Sequence, residues 1–232
     1  MTQQEIALIV GAGHGLSASL TRLLAKQGAK VAIAARNPGK LAALAAETGA
    51  RAYPCDASEP ADVDTLFTAV TAELGETDLV IYNASHRARG PVAELDVADV
   101  ARALMVSCYG GFLVGQAAAR RMIARGRGTI LFTGASASVK GYANSAPFAM
   151  GKFGLRGLAQ SMARELAPKN IHVAHFVIDG GIRAPGDMRA SDRGPDALLE
   201  PDAIAETYLA IHRQHRSAWT WEVELRPWVE PF

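Results

Sequence analysis

Residues 6–24 read IALIVGAGHGLSASLTRLL, a short apolar run followed by a glycine-rich turn and a series of leucines. The apolar run predicts a buried strand, and the leucine spacing predicts a helix with one buried face. Those leucines are Leu16, Leu20, Leu23 and Leu24. Gly11, Gly13 and Gly15 let the backbone turn tightly and approach a ligand, while the first turn of a helix presents free N–H groups. Strand, glycine turn and helix in this order predict a phosphate-binding site.

The rest of the chain continues the alternation of strands and helices. Further apolar runs predict strands at residues 30–35, 51–54, 78–82, 129–133, 171–178 and 218–225. Helices are predicted near residues 41–48, 63–74, 97–125, 148–166 and 202–215, and the Gly-, Pro- and Arg-rich stretch 183–195 predicts a mobile flap. Because the strands are continuously apolar, they indicate a parallel sheet covered on both faces. The predicted fold is α/β, a doubly wound, Rossmann-like parallel sheet of about seven strands with helices on both faces, in a single domain spanning residues 1–232.

The composition argues against several classes of protein. The chain has 232 residues, 49% of them apolar, and a formal net charge of +1 without any block of like charge. We therefore expect no nucleic-acid partner and no membrane partner. We find no signal peptide and no apolar run of membrane-spanning length, so we expect a cytoplasmic protein. No metal site is predicted, because the strand histidines His172 and His175 lack a third ligand at a useful spacing.

Polar and glycine-rich segments follow the end of nearly every predicted strand. In doubly wound sheets, ligands bind outside the carboxyl ends of the strands, where the strand order reverses. We therefore expect these segments to converge on one crevice. They are residues 11–15, Arg36, Asp56, residues 83–89, residues 134–138 and residues 179–185.

These residues carry a resemblance to the short-chain dehydrogenase/reductase family, from Ile6 to about Ala184. The Gly-x-x-x-Gly-x-Gly turn of that family matches Gly11 and Gly15 here, with Ser17 in place of the third glycine. Its Asn-Ala-Gly motif appears as Asn83-Ala84-Ser85, and its Pro-Gly motif appears as Asp179-Gly180. The acidic residue that contacts adenine in that family matches Asp56. The resemblance implies an oxidoreductase that binds NAD(P)(H) and acts on a small-molecule substrate.

The cofactor preference follows from the end of the second strand. Sites that prefer NAD place a carboxylate there to hold the ribose 2′-hydroxyl, whereas this chain has Ala35 followed by Arg36. A guanidinium would pair with a 2′-phosphate, so NADP(H) is favoured over NAD(H), with His14 as a second contact. The alternative, that Arg36 is a solvated turn residue, stays open. The resemblance implies cofactor contacts at Gly11, Gly13, His14, Gly15, Leu16, Arg36, Asp56, Ala57, Asn83, Ala84, Lys152, Gly180 and Ile182.

The catalytic residues of the family are mostly replaced in this chain. The Tyr-x-x-x-Lys motif reads Phe148 to Lys152, the catalytic serine falls on Ala135, and the helix asparagine falls on Ser107. Phe148 has no proton to give and Ala135 offers no hydroxyl, so ordinary alcohol–ketone chemistry should be slowed. Loss of a positioned general acid costs roughly 10²–10⁴-fold, and loss of an oxyanion donor costs roughly 10²–10³-fold.

Lys152, Ser136 and His86 are the residues that we expect to carry catalysis. Ser136 and His86 rank slightly above Tyr142 and Ser138 as replacements for the missing hydroxyl, because both follow strand ends that face the crevice. Each has a simpler interpretation: His86 can be a solvated loop residue, and Tyr142 can be a packing residue. These alternatives stay open at the level of sequence.

Three functions are compatible with this catalytic set. The first is an NAD(P)(H)-binding oxidoreductase with atypical or weak redox activity. The second is a non-redox isomerase, lyase or cyclase, and the third is an inactive NADP(H)-binding sensor or partner subunit. The resemblance also implies a homodimer or homotetramer, and we expect the tryptophan-rich segment 219–232 to pack on a neighbouring subunit or to close its own core.

Overall fold

A single sheet of parallel strands forms the centre of the molecule. The computed structural model describes residues 4–184, 187, 194 and 196–230. In these residues the strands follow the order β3-β2-β1-β4-β5-β6-β7, and every neighbouring pair is parallel. The strands are β1 (Ile6–Val10), β2 (Lys30–Ala35), β3 (Arg51–Pro54), β4 (Leu79–Tyr82), β5 (Gly128–Thr133), β6 (Ile171–Ile178) and β7 (Glu222–Leu225). The predicted Rossmann-like α/β fold is confirmed.

Helices cover both faces of this sheet. They are α1 (Leu16–Lys26), α2 (Ala42–Thr48), α3 (Pro60–Glu73), α4 (Val97–Leu104), α5 (Gly110–Arg125), α6 (Ala146–Leu166) and α7 (Pro201–His212). Apolar side chains of α3, α5 and α6 pack on one face, and those of α1, α2 and α7 pack on the other. Because both faces are covered, the central strands are buried along their whole length, which explains their continuously apolar sequences.

The predicted long helix 97–125 is interrupted by one π-helical turn, Met105–Tyr109. In this turn the carbonyl of Val106 accepts a hydrogen bond from the buried hydroxyl of Tyr82 at the end of β4. The helix is long and apolar enough to span a membrane by length and composition alone, which corrects our expectation that no such run exists. Its inner side packs on the sheet and on α6 through residues such as Val114, Ala118 and Met122, as core helices also do. It is therefore weak evidence for a membrane span.

Two predicted boundaries in the last third of the chain differ from the structure. The final strand begins at Glu222 rather than at Ala218, because Arg216–Ala218 form a 3₁₀ turn and the Trp219 ring stacks on His172 at 4.8 Å. The last helix ends at His212 rather than at residue 215. Most of the predicted flap 183–195 lies outside the described residues.

The strand order places the expected crevice beside β1. The chain moves outward from β1 to β2 and β3, and then returns to pair β4 on the other side of β1. The helices that follow β1 and β4 therefore pack on opposite faces of the sheet, and ligands of doubly wound folds bind at the carboxyl ends of the strands beside such a reversal.

Candidate active site

The glycine turn after β1 is closely packed against the loop after β4. A Cβ on Gly11 would lie 2.3 Å from the backbone nitrogen of Ala84, so only glycine fits there. Gly15 precedes α1 with φ 77° and ψ −130°, a backbone conformation that L side chains rarely adopt. Among the described residues, apart from the chain neighbours of each glycine, no atom lies within 4 Å of where a Cβ on Gly13 or Gly15 would be, so the outer side of the turn is open. The turn can thus admit a phosphate group next to the N-terminus of α1.

The hydrogen bonds of Ser17 connect this turn to the end of β4. Its side chain is only 1% exposed. The hydroxyl donates to the carbonyl of Gly11 at 3.2 Å and accepts from the Asn83 amide at 2.7 Å. Ser17 stands where the resembling family has its third glycine, so here a hydrogen-bonded side chain connects helix, turn and neighbouring strand.

A first cavity, of about 580 Å³, opens on the outer side of the glycine turn. Its volume lies within the range of small-molecule sites, roughly 300–1,000 Å³. Gly15 and Leu16, where α1 begins, were also predicted as cofactor contacts. They are not among the described residues that line the cavity, and Leu16 is buried. Predicted cofactor residues that line the cavity are Gly11, Gly13, His14, Arg36, Asp56, Ala57, Asn83 and Ala84. The structure therefore brings most of the predicted cofactor set together.

The charges of the first cavity are mainly positive. Arg36 and Lys40 are the cations that line it, beside His14, and Asp56 is the carboxylate among its described lining residues. The Asp56 carboxylate accepts from the backbone and hydroxyl of Ser58 at 3.0 and 2.6 Å. Burial works to raise its pKa, but these hydrogen bonds and the charge of Arg36 outweigh burial and lower it. The sequence analysis does not predict Lys40 as a residue of this cavity. Its position four residues after Arg36 is the signal that could have indicated it.

A second cavity, of about 660 Å³, adjoins the first at Asn83 and Ser85. It lies outside the ends of β5 and β6. Its lining contains the predicted residues Ser136, Lys152, Gly180 and Ile182. It also contains Arg87, Arg89, Ala135, Tyr142 and Phe148. The two cavities together follow the carboxyl edge of the sheet, as the convergence of strand-end segments predicted.

Lys152 is almost fully buried at the inner end of the second cavity, with 3% of its surface exposed. Its ammonium donates to the backbone carbonyl of Thr133 at 2.7 Å and lies 5.9 Å from the centre of the Phe148 ring. Burial lowers the pKa of Lys152 to about 7, with a further contribution from the positive charge of Arg87. Around neutral pH, Lys152 can therefore exchange a proton, which an ordinary lysine does only in strongly alkaline solution.

Arg87 lies over the Phe148 ring, with its guanidinium carbon 4.4 Å from the ring centre. This is a cation–π contact, and it holds a positive charge at the motif position of the missing tyrosine. Arg87 and Arg89, both in the loop after β4, line the second cavity. No local pattern predicts this contact, because it joins the loop after β4 to α6.

Ser136 and Ser138, which both follow the position of the missing serine, differ in their hydrogen-bond partners and in their exposure to the second cavity. The Ser138 hydroxyl accepts from the backbone N–H of Ala135 at 3.1 Å and lies 3.3 Å from Nε2 of His175. The other ring nitrogen of His175 lies 3.0 Å from the Glu222 carboxylate. The three residues are arranged in the order of a serine–histidine–carboxylate triad. Ser138 is 0% exposed, however, so its hydroxyl is not accessible to a substrate. Burial lowers the pKa of His175 to about 4, so the ring is neutral, and the network positions the loop after β5.

Ser136 faces the second cavity, and its hydroxyl donates to Asp179. His86 lines the first cavity and pairs with Asp99 at 2.6 Å, so it does not stand among the described residues around Phe148 and Lys152. This position does not favour His86 as the replacement proton donor, and that role stays a prediction for Ser136. Tyr142 is 48% exposed and lines the second cavity, which is not the setting of a packing residue.

Comparison with known proteins identifies the family. The family model described as short chain dehydrogenase matches residues 5–193. The chain belongs to the short-chain dehydrogenase family. It is therefore an NAD(P)(H)-binding oxidoreductase of that family, and membership does not favour the non-redox and non-catalytic alternatives. In this dehydrogenase, Phe148 and Ala135 stand at the positions where the sequence resemblance aligned the family's tyrosine and serine.

Three similar proteins support this assignment over nearly the full chain. The crystal structure of a short-chain dehydrogenase from Rhodopseudomonas palustris has a TM-score of 0.84 and 36% identity, covering 97% of this chain and 99% of that one. A metagenomic short-chain oxidoreductase crystallised in complex with NADP has a TM-score of 0.83 and 29% identity, covering 96% and 97%. The cis-4-hydroxycyclohexanecarboxylate dehydrogenase of Sinomonas cyclohexanicum is 31% identical over 218 residues, or 88% of this chain and 87% of the relative.

Proposed function

We propose that this dehydrogenase binds NADP(H) across both cavities and uses it to interconvert a carbonyl and an alcohol on a small substrate in the second cavity. The observation that carries the proposal is that the two cavities adjoin at Asn83 and Ser85 along the carboxyl edge of the sheet. The first is lined by the glycine turn and positive side chains. The second contains Lys152. A dinucleotide needs such a pair of adjoining sites, one for each nucleotide half.

The residues of the first cavity fit the adenosine and pyrophosphate part of the cofactor. The open outer side of Gly13 and Gly15 would receive the pyrophosphate at the N-terminus of α1. Asp56 and Ala57 would contact the adenine. Asn83, which lines both cavities, and Ala84, which lines the first, would contact the ribose. In the second cavity, Lys152, Gly180 and Ile182 would hold the nicotinamide half.

The preference for NADP(H) rests on charge. His14, Arg36 and Lys40 line the first cavity, and the residue at the end of β2 is Ala35 rather than an acidic residue. A 2′-phosphate adds about two negative charges and oxygen acceptors that arginine recognises through paired hydrogen bonds. The same cluster has nothing comparable to bind on the 2′-hydroxyl of NAD(H). NADP(H) should therefore bind more tightly than NAD(H).

The proton-transfer part of the reaction must differ from that of the family. When bound, the reduced nicotinamide supplies a hydride to the carbonyl carbon, and the carbonyl oxygen then needs a proton. Phe148 cannot give one. Lys152, with a pKa of about 7, is the group in the second cavity that can hold and release a proton near neutral pH. The Ser136 hydroxyl lines the same cavity and would donate a hydrogen bond to this oxygen in place of its present hydrogen bond to Asp179.

We propose that the protein works as a homodimer or homotetramer in the cytoplasm. Exposed apolar side chains lie along one surface of the π-helical turn, α5 and α6, and such a patch supports subunit association. They are Met105, Tyr109, Phe112, Met150 and Phe153. The tryptophan-rich segment packs partly within its own chain, which is one of the two arrangements that we expect for it. Trp219 stacks on His172 and Trp221 lies over Arg156 in the same chain, whereas Trp228 is 80% exposed.

The test of this function is a cofactor titration with Arg36→Ala. We expect the wild type to bind NADPH at least about tenfold more tightly than NADH, from the charged hydrogen bonds to the phosphate. Arg36→Ala should weaken NADPH binding roughly tenfold and leave NADH binding unchanged. Lys26→Ala, at the far end of α1, is the matched control that should change neither. Failure of both cofactors to bind, or equal weakening of both by Arg36→Ala, would overturn the proposal.

A further inference from the structure

One wall of the second cavity is a continuous piece of backbone. Residues 133–137, the end of β5 and the turn that follows it, all line this cavity, and we call them the cavity wall. Lys152 donates to the carbonyl of Thr133 at 2.7 Å, and the N–H of Gly134 donates to the carbonyl of Phe176 at 2.7 Å. The position of the cavity wall therefore depends on residues that lie outside it.

His175 lies directly behind the cavity wall, and its side chain is completely buried. A Cβ on Gly134 would be 2.3 Å from its Nε2, so the imidazole ring packs against the backbone of the wall. The same Nε2 lies 3.3 Å from the hydroxyl of Ser138, which accepts from the N–H of Ala135 at 3.1 Å. The ring is thus connected to the cavity wall both by packing and by a chain of hydrogen bonds through Ser138.

The surroundings of His175 decide where the hydrogens of this chain lie. Its Nδ1 is 3.0 Å from the Glu222 carboxylate, which only accepts hydrogen bonds, so Nδ1 carries a hydrogen. Burial lowers the pKa of His175 to about 4, so near neutral pH its Nε2 is an acceptor. Ser138 then donates to Nε2 and keeps its lone pairs for the N–H of Ala135. All these hydrogen bonds point from the wall towards Glu222, and each polarises the next.

The outer end of the chain is an ion pair between Glu222 and Arg156. Glu222 stands beside His175 in the register of β6 and β7, and its carboxylate accepts two hydrogen bonds from the Arg156 guanidinium, at 2.6 and 2.7 Å. These contacts hold the pKa of Glu222 below its usual range. Arg156 lies on α6, one turn after Lys152, and 33% of its side chain is exposed. The network therefore extends from the protein surface to the cavity wall.

We propose that His175 is a positioning residue: through Ser138 it fixes the cavity wall against which the nicotinamide half of the cofactor would bind. Glu222 and Arg156 in turn hold the ring of His175. The inference rests on the proposed function, since it concerns the cavity that this function assigns to the nicotinamide. Ser138 is buried and its hydroxyl hydrogen points to His175, so the network orients backbone and does not activate a nucleophile.

The experiment titrates two probes by calorimetry into the full-length chain. Adenosine 2′,5′-bisphosphate would occupy only the first cavity, whereas NADPH would extend into the second. His175→Phe keeps a flat ring but removes both hydrogen bonds, so NADPH should bind about tenfold more weakly and the bisphosphate should bind as before. His172→Phe is the matched control, because His172 is a buried histidine of the same strand that contacts the Thr220 carbonyl. It should leave both affinities unchanged.

Non-additivity tests whether Ser138 carries the effect of His175. Ser138→Ala should weaken NADPH binding as much as His175→Phe does, and the double variant should bind little more weakly than either, since both changes interrupt one connection. Additive losses would overturn this route. Urea denaturation of the same variants supplies the comparison with a merely structural role, which would lower the free energy of unfolding and leave the ratio of the two affinities unchanged.

Hydrogen exchange separates the inference from the proposed function. If the wild type binds neither probe, the cofactor function fails. Exchange at the amides of the cavity wall then decides whether His175 holds the wall: it should be faster in His175→Phe and unchanged in His172→Phe. If NADPH binds and His175→Phe leaves the ratio of affinities unchanged, the inference is overturned while the cofactor function stands.

Arg156 provides a second variant should His175→Phe fail to fold. Its side chain is partly exposed, so Arg156→Met changes the network from its outer end. We expect NADPH binding to weaken about threefold with the bisphosphate unaffected, and Arg156→Lys to recover part of the loss, because lysine keeps the charge but not the paired hydrogen bonds. An unchanged ratio of affinities in Arg156→Met, or covalent labelling of Ser138 by a fluorophosphonate, would overturn the inference.

Discussion

The guanidinium carbon of Arg87 lies 4.4 Å from the centre of the Phe148 ring. The two residues come from different parts of the chain, the loop after β4 and the helix α6, and they meet at the second cavity. The contact therefore joins a guanidinium of the loop after β4 to the ring that stands at the position of the family's missing phenol.

A double-mutant cycle measures this contact. Arg87→Gln and Phe148→Leu should show a coupling of about 0.5–1 kcal/mol in the free energy of unfolding, the size of a cation–π contact near the surface. Urea denaturation of the two single variants and the double variant gives the value. Arg164→Gln with Phe148→Leu is the control cycle, in which we expect no coupling because Arg164 lies about 24 Å along α6 from Phe148. Equal coupling in the two cycles would contradict a specific contact.

Restoring the missing hydroxyls should restore ordinary carbonyl reduction. Phe148→Tyr combined with Ala135→Ser supplies a proton donor and a hydrogen-bond donor, so NADPH-dependent reduction of a ketone should rise by roughly a hundredfold or more. Phe153→Tyr is the control, since it adds a phenol to the exposed surface of α6, away from the lining of the second cavity. The readout is the rate of NADPH oxidation. A double variant that binds NADPH but gains no activity would place the defect elsewhere in the cavity.

Lys152 should make stability depend on pH in a definite direction. Its pKa in the folded chain is about 7, lowered from the ordinary 10.5 chiefly by burial and further by Arg87. Between these values the unfolded chain binds a proton that the folded chain does not, so the free energy of unfolding rises with pH, by up to about 1.4 kcal/mol per pH unit. His175 also faces this charge but is neutral in the same range.

The measurement for Lys152 is urea unfolding of the wild type and Lys152→Met at roughly pH 6.5 and roughly pH 9.5. The variant lacks the buried charge, so its stability relative to the wild type should be most favourable at the lower pH and should decline at the higher pH. Lys169→Met, which removes a lysine with 44% of its side chain exposed, should show a constant difference. The idea fails if Lys152→Met also shows a constant difference.

Ser17 should stabilise the turn that holds the cofactor. Ser17→Ala removes the hydroxyl that links Gly11 and Asn83 and should lower the free energy of unfolding by about 0.5–1.5 kcal/mol. Ser17→Gly, which restores the family's residue, should lower it by about a further 1 kcal/mol because glycine weakens the helix. Both are measured by urea denaturation. A glycine variant as stable as the wild type would show that the serine is only tolerated.

The sequence was sufficient to predict most of the fold. The strands β2, β3 and β6 have the predicted bounds, because their apolar runs end at glycines, prolines or polar residues. Less was predictable in the last third of the chain, where Trp219 packs on His172 and delays the start of β7. That packing depends on a partner far away in sequence, which local periodicity does not reveal.

The candidate site was predicted in its position more than in its chemistry. The rule that ligands bind at strand ends grouped Arg36, Asn83 and Ser136, and these residues line two adjoining cavities. The same rule could not separate the surroundings of Ser136 from those of Ser138, because neighbours in a 3₁₀ turn point in different directions. Nor could it show that Arg87 lies over Phe148, a contact that depends on how the loop after β4 folds against α6.

The π-helical turn Met105–Tyr109 affects how this chain is aligned with its relatives. Side chains advance by about 100° per residue around an α-helix. Inserting or deleting one residue therefore rotates all later side chains of the helix by about 100° relative to the core. Here α4 and α5 keep separate phases, each with its own buried residues, such as Ala103 before the turn and Val114 after it. An insertion or deletion can therefore be absorbed inside the helix by exchanging a π turn for an α turn. Against a relative that has an α turn here, an alignment without a gap in this helix would shift every position after Ser107 by one residue.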